Sequence, residues 1–276
     1  MRSGTRTAIK EEVMDNVTKA RINLFAILRN IEDLCEMDPV SKDLIKDVKL
    51  GVEFNVPEVG SAVLTFADGK CKFTRGKGKS ALKLYFTSPE HFNNLIAPPI
   101  DAKTGKPKMV IPIFYNVFKA GFLLNQFTKL AERLSYYLQP APDKKDELLK
   151  DPDYFYANTV LTAYTAFYAM SEIANSDFVG KAIAKRMPDG VIACEVNGGP
   201  AMNITVKNHK FVTNKGKVAE PRATMVFGDM QFAHDLLNGK TSSFTGMGTG
   251  QFQVKGYVEM LEQMAKLLTQ VSIYLA

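Results

Sequence analysis

Residues 250–275, GQFQVKGYVEMLEQMAKLLTQVSIYL, decide how the rest of the chain is read. The opening alternates: Phe252 and Val254 point one way, Gln251, Gln253 and Lys255 the other, which is the period of a half-buried strand. Gly256 then lets the chain turn. Beyond it Val258, Leu261, Met264, Ala265, Leu268, Val271 and Leu275 recur at three- and four-residue steps, the apolar stripe of an amphipathic helix. Met260, Leu267 and Tyr274 widen that stripe. A face so wide and so rich in adaptable methionine must lie on something large and apolar. That is either core alone or core together with a greasy ligand.

The same helix occurs earlier. LLNQFTKLAERLSYYL at 123–138 echoes MLEQMAKLLTQVSIYL at 260–275, and the echo extends outward from there. Asp38, Val40, Lys42, Lys46 and Gly51 match Asp177, Val179, Lys181, Lys185 and Gly190, each pair 139 positions apart. Residues 62–73, AVLTFADGKCKF, stand opposite AMNITVKNHKFV at 201–212, two apolar runs broken at Asp68-Gly69 and Asn208-His209. Both read as two-residue hairpins. ALKLYFTSPEHFNNLI at 81–96 faces ATMVFGDMQFAHDLL at 223–237, a strand and then a short helix bearing Phe92 or Phe232. Each copy thus runs helix, three strands, short helix, one or two strands, long helix. That order predicts an α+β fold: two tandem domains, each a mostly antiparallel mixed sheet covered on one face by helices and ending in a long helix. The first domain is assigned to 1–140, divergent after residue 97, and the second to 154–276. Residues 141–153, with their prolines and charges, read as a linker.

The chain has 276 residues, enough for two cores, and its composition is globular, 46% hydrophobic and 23% charged. The net charge of +6 favours anionic partners such as lipid headgroups or a nucleotide-bearing acyl carrier. It is too diffuse to argue for nucleic acid. Cys35, Cys71 and Cys194 form no disulfide framework and read as reduced thiols of a cytoplasmic protein. The N-terminal residues lack the apolar core of a secretory signal. No run reaches the length of a membrane span.

With these residues in this order, the chain resembles the sterol carrier protein type two family twice over. In the second copy the match runs from Met202 to Leu268, through Phe232, Leu236-Leu237-Asn238-Gly239-Lys240 and GQFQVKGYVEMLEQMAKL. In the first it runs through GVEFNV, FADGKCKF and LYFTSPEHFNNLI, and departs where KMVIPIFYNVFKAGFLL replaces the glycine-flanked strand. The resemblance implies an apolar tunnel for fatty acyl chains, sterols or related lipids, with no catalysis; from the residues themselves no metal and no cofactor are expected. The terminal helix would help to line or close that tunnel. Burial of an acyl chain gains about 0.8 kcal/mol per methylene, so no polar constellation is required.

Catalytic chemistry has few candidates. His91 and His234 fall at nearly equivalent places on the two short helices and read as exposed; neither has a partner at metal-ligand spacing. Lys70 and Lys72 flank Cys71 but point to the opposite face of the strand, which leaves a buried thiol. GKGKS at 76–80 lacks the first glycine of a phosphate loop and links strands. GMGTG at 246–250 precedes a strand and reads as a flexible lip. An enzyme reading would need His91, His234 or Glu259 to carry activity.

The candidate ligand wall is Met225, Phe232, Leu236, Met247, Phe252, Val254, Met260, Leu261, Met264 and Leu268 in the second copy, with Phe114 and Phe118 in the first. The expected function is a lipid-binding carrier with a hydrophobic cavity in the second copy. Two alternatives are a ligand-free interaction module and an accessory subunit presenting lipid to an enzyme. Lys70, Lys72, Arg75, Lys77, Lys79 and Lys83 in the first copy, with Lys207, Lys210, Lys215, Lys217 and Arg222 in the second, read either as solvated edges or as a landing site for anionic membrane or acyl-carrier phosphates. A homodimer is left open.

Overall fold

The computed structural model describes residues 15–115 and 120–275, and it divides into two compact units, Met1–Leu134 and Ser135–Ala276. In the first unit Asp15 caps a helical layer, its carboxylate accepting from the amides of Val17 and Thr18. This layer comprises α1 (Asn16–Ile22), a π-turn at Asn23–Ile27, a 3-10 turn at Leu28–Asn30 and α2 (Ile31–Met37). Asp38 ends α2 and caps α3 (Pro39–Ile45), with proline at the first helical position, where a missing amide costs nothing. The strands β1 (Leu50–Val56), β2 (Gly60–Ala67), β3 (Lys70–Arg75) and β4 (Leu82–Tyr85) follow. Then come α4 (Pro89–Ile96) and β5 (Ile113–Tyr115). Ala120–Phe122 and a π-turn at Leu123–Phe127 lead into α5 (Thr128–Leu138).

The second unit takes in the end of α5 from Ser135 and continues with α6 (Pro142–Leu148), α7 (Pro152–Ser176) and α8 (Phe178–Ala184). Its strands are β6 (Gly190–Val196), β7 (Ala201–Lys207), β8 (Lys210–Lys215) and β9 (Ala223–Phe227). The chain closes with α9 (Met230–Leu237), α10 (Ser243–Thr249), β10 (Phe252–Gly256) and α11 (Val258–Leu275). A helix, α6, thus occupies part of the stretch whose prolines and charges read as a linker.

The two sheets share one topology. The orders are β3-β2-β1-β4-β5 and β10-β9-β6-β7-β8, the same arrangement named from opposite ends. The first strand sits in the centre, antiparallel to the second and parallel to the fourth, in both units. In the first unit Val52, Phe54, Leu64, Phe66, Leu82 and Leu84 share a face through this register and are buried. That face is the core. The rings of Phe122 and Phe127 close over it, 5.2 Å from Phe66 and 5.7 Å from Phe54. On the other face, Glu53 is buried by its neighbours: Asn55 and Ser80 donate to its carboxylate at 3.0 and 3.1 Å, and Lys83 lies 3.8 Å away. Burial pushes the Glu53 carboxyl up, but these partners outweigh it and hold it below the ordinary carboxylate value.

The ladders correct the sequence alignment by one residue. Both hairpin turns, Asp68-Gly69 and Asn208-His209, have positive φ at both positions, the type I′ signature. Counting back from them, the pair Leu50–Phe66 corresponds to Gly190–Val206. Gly190 therefore takes the place of Leu50 rather than that of Gly51. The two glycines answer different needs: Gly190 has φ 155°, whereas a Cβ on Gly51 would lie 2.7 Å from the Lys79 carbonyl oxygen. The helices α3 and α8 keep the 139-residue spacing, because Asp38 and Asp177 cap both in the same way.

Candidate functional site

In the second unit the helices lie over a sheet face built from Ile192, Cys194, Met202, Ile204, Met225, Phe227 and Phe252. The long helix α11 packs against α7, α8, β9 and β10. Its buried face is Met260, Leu261, Gln263, Met264, Leu267, Val271 and Tyr274, while Val258 and Ala265 face solvent. The stripe is thus centred on 260, 264, 267, 271 and 274, one step round from the set that the sequence puts first. The residues expected only to widen it are its middle.

Three rings form the second feature. Phe227 of β9, Phe232 of α9 and Phe252 of β10 meet at centroid distances of 5.2 to 6.4 Å. Gly246 of α10 lies directly on them: a Cβ there would be 2.1 Å from Phe232 Cζ and 2.8 Å from Phe252 Cβ. The glycine string at 246–250, expected to be a flexible lip, therefore belongs mostly to a helix. Ser242 caps α10 by accepting from the Thr245 amide, and Gly250 ends it in the left-handed conformation at φ 77°. Glycine serves here because the helix must press flat against aromatic rings, a need that sequence periodicity does not register.

Of the ten second-unit wall residues, Met225, Phe232, Phe252, Met260, Leu261 and Met264 are buried. Leu236 and Leu268 are half-buried. Met247 and Val254 are exposed, at 41% and 37%. Val254 pairs with Met225 across the ladder, so it lies on the core face but at the outer strand, where little covers it. In the first unit Phe114 is half-buried, opposite Leu84, and Phe118 lies outside the described residues. The sequence reading missed Phe227, Gly246 and the Tyr274 anchor. Phe227 was visible in the alternation of ATMVF; the other two have no sequence signal beyond residue size.

Two of the polar contacts that pin the helices involve Asp177 and His234. The Tyr274 hydroxyl donates to Asp177 at 2.7 Å, and Asp177 also accepts from the Gly180 amide. The corresponding Asp38 is held instead by Arg133, through Nε at 3.1 Å and an Nη at 2.6 Å. Burial pushes Asp38 up, but Arg133 and Ser41 prevail and its carboxyl lies below 3.8. His234 makes the second. The expectation that it is exposed is wrong: it is 1% exposed, on the inner side of α9, facing Thr159 and the Phe155 ring. It is the fifth residue after the helix cap, as Asn93 is in α4, where Asn93 accepts from Asn23 at 2.9 Å. His91 is offset from it and sits at the rim, accepting from the Thr87 amide. Burial holds the His234 imidazole below 6.5, aided by Lys240 and Lys145 and opposed by Asp235.

All three thiols are buried. Cys71 is pushed up by its contact with Cys35 and by burial, and Cys194 by burial, so neither supplies a thiolate. Among the described residues no cluster of His, Cys, Asp and Glu is arranged to hold a metal ion. No described helix is long and apolar enough to cross a membrane. Two surface depressions, of about 350 and 500 Å³, lie in the first unit and are lined largely by charged side chains, Asp43, Asp47 and Lys129 in one, Glu36, Lys42 and Lys70 in the other. Neither offers the apolar wall that the sequence leads one to seek.

Fold and site together define a pair of α+β units, each a five-stranded mixed sheet with its core face under helices. Among solved structures the chain is similar to sterol carrier protein 2 domains. One is domain 2 from Helicoverpa armigera, at 16% identity and TM-score 0.33, covering 40% of this chain and 88% of that one. Another is the apo protein from Yarrowia lipolytica, at 18% identity and TM-score 0.32, covering 40% and 91%. A third is a UbiJ-SCP2 ubiquinone synthesis protein, at 12% identity and TM-score 0.30, covering 40% and 95%. No protein-family profile and no curated protein matches the chain. The strand order itself, rather than these similarities, defines the fold.

Proposed function

We propose that the protein is a non-catalytic lipid carrier whose second unit takes an acyl chain or sterol-like molecule between its sheet and α11. The observation that carries the reading is the composition of that layer. Met225 on the sheet and Met260 and Met264 on the helix are buried where α11 packs on β9, in the unit that also holds the Phe227–Phe232–Phe252 cluster. Methionine repacks at low cost, so such a layer can part around a guest and close again after it leaves. The half-buried Leu236 and Leu268 and the exposed Met247 and Val254 place apolar surface at its margin. A guest would enter there, beside α10. The residue pattern that resembles the sterol carrier family supports the same reading.

The test is organic extraction of purified protein followed by lipid mass spectrometry, together with titration of a fluorescent fatty acid. Met264→Lys puts a charge in the layer and should abolish uptake, while Met264→Leu should retain it. Circular dichroism must show both variants folded. Failure of the wild-type protein to retain or take up any apolar ligand overturns the carrier reading.

A further inference from the structure

The first unit carries an arm without a counterpart in the second. Between α4 and β5 the chain makes a small hairpin, with Ile100 bridged to Pro107. The Lys108 amide donates to Pro99 O at 2.9 Å, and the Asp101 amide donates to Lys106 O at 2.8 Å. Asp101 folds the tip, accepting from the amides of Lys103 and Thr104 at 2.8 and 2.9 Å. Its carboxyl is consumed by that turn and held low by those two amides. It is also the one acidic residue between 97 and 115, against Lys103, Lys106 and Lys108, all exposed. Running on from the lysines, Met109 is 85% exposed and Ile111 62%. Ile100, Ile113 and Tyr115 are each more than half exposed as well. An apolar run of this size left in water normally meets something.

We infer that this arm, residues 99–115, is a docking element for an anionic bilayer surface. Its basic tip is complementary to acidic headgroups, and the adjoining Met109 and Ile111 are apolar and exposed enough to enter the acyl boundary. Charge disfavours a second copy as occupant. A two-fold contact sets the same patch against itself, bringing Lys103, Lys106 and Lys108 against their own equivalents. The inference stands apart from the carrier reading, since docking does not require a cargo.

The test is co-sedimentation of the full chain with vesicles of phosphatidylcholine alone and of equal parts phosphatidylcholine and phosphatidylserine. Binding to the second kind only is expected, and it should be the same for protein stripped of extractable lipid. Each lysine near the surface is worth about fivefold, so K103Q/K106Q/K108Q should weaken binding about a hundredfold. K70Q/K72Q/K77Q removes equal charge elsewhere on the unit and should change it far less. M109S/I111S should make the remaining binding more sensitive to salt. The inference fails if the two triple variants fall equally, which would mean diffuse charge. It also fails if the wild type ignores acidic vesicles, or if the arm variants alter self-association in sedimentation equilibrium instead.

Discussion

Arg133→Met tests the corner of the first unit directly. Asp38 is 1% exposed and accepts from Arg133 twice as well as from the Ser41 amide and hydroxyl. Removing one partner of a buried ion pair costs about 3–5 kcal/mol, because the other charge is left uncompensated. The Arg133 side chain is 26% exposed and so partly screened, which puts the loss near the lower end, about 3 kcal/mol. That corresponds to about a hundredfold in the opening equilibrium. Hydrogen exchange of peptides from α3 and β1 at neutral pH, read by mass spectrometry, should show this acceleration, with peptides of the second unit unchanged. The sign with pH is fixed by the direction of the shift. Asp38 titrates below 3.8 in the folded protein, so its contribution is present above 3.8 and lost as pH falls through the folded value. The penalty of the variant should therefore shrink towards the packing loss alone in acid. A penalty that is the same at neutral pH and in acid, or one below about 1 kcal/mol, would refute the assignment of a charge role to the pair.

Two further outcomes follow from residues that differ between the copies. His234 titrates below 6.5 when folded, so the second unit should lose stability as pH falls through 6.5 towards that lower value. His234→Asn, the residue that the first unit uses at this place, should remove the dependence; urea titrations at pH 7 and pH 5 check it. His209 sits at φ 60° in a turn where the first copy has Gly69. His209→Gly should relieve left-handed strain and stabilise by up to about 1 kcal/mol, visible as a raised thermal midpoint for the second unit; an unchanged or lowered midpoint would count against strain at this turn.

Most of the architecture was legible because it rests on periodicity. Phe252 and Val254 announce β10, the methionine and leucine stripe announces α11, and Asp68-Gly69 announces a type I′ turn. The doubled helices and hairpins gave each weak pattern a second witness. What escaped depends on distance across the fold. Alignment by residue type placed Gly190 on Gly51 because both are glycine, whereas the hydrogen-bond register places it on Leu50. The histidine on α9 read as exposed because short amphipathic helices leave most polar residues in water, but Thr159 and Phe155 of α7 lie over it. The glycines at 246–250 read as loop because propensity penalises them in helices, yet packing against two phenylalanines overrides propensity.

The central place of β1 and β6 bears on how the chain assembles. Each pairs with its following strand through a tight hairpin, but with its fourth strand only across a long span: Val52 with Leu82, and Ile192 with Ala223. Local pairing precedes distant pairing during folding. Each unit should therefore pass through a three-stranded meander whose first strand has a bare edge, waiting for its parallel partner. A tandem chain holds two such edges and two such partners at once, and β4 or β9 offered to the wrong edge gives a crossed product. The refolding yield of the full chain should fall below that expected from its stability, and slow synthesis, which presents β4 before β6 exists, should restore it.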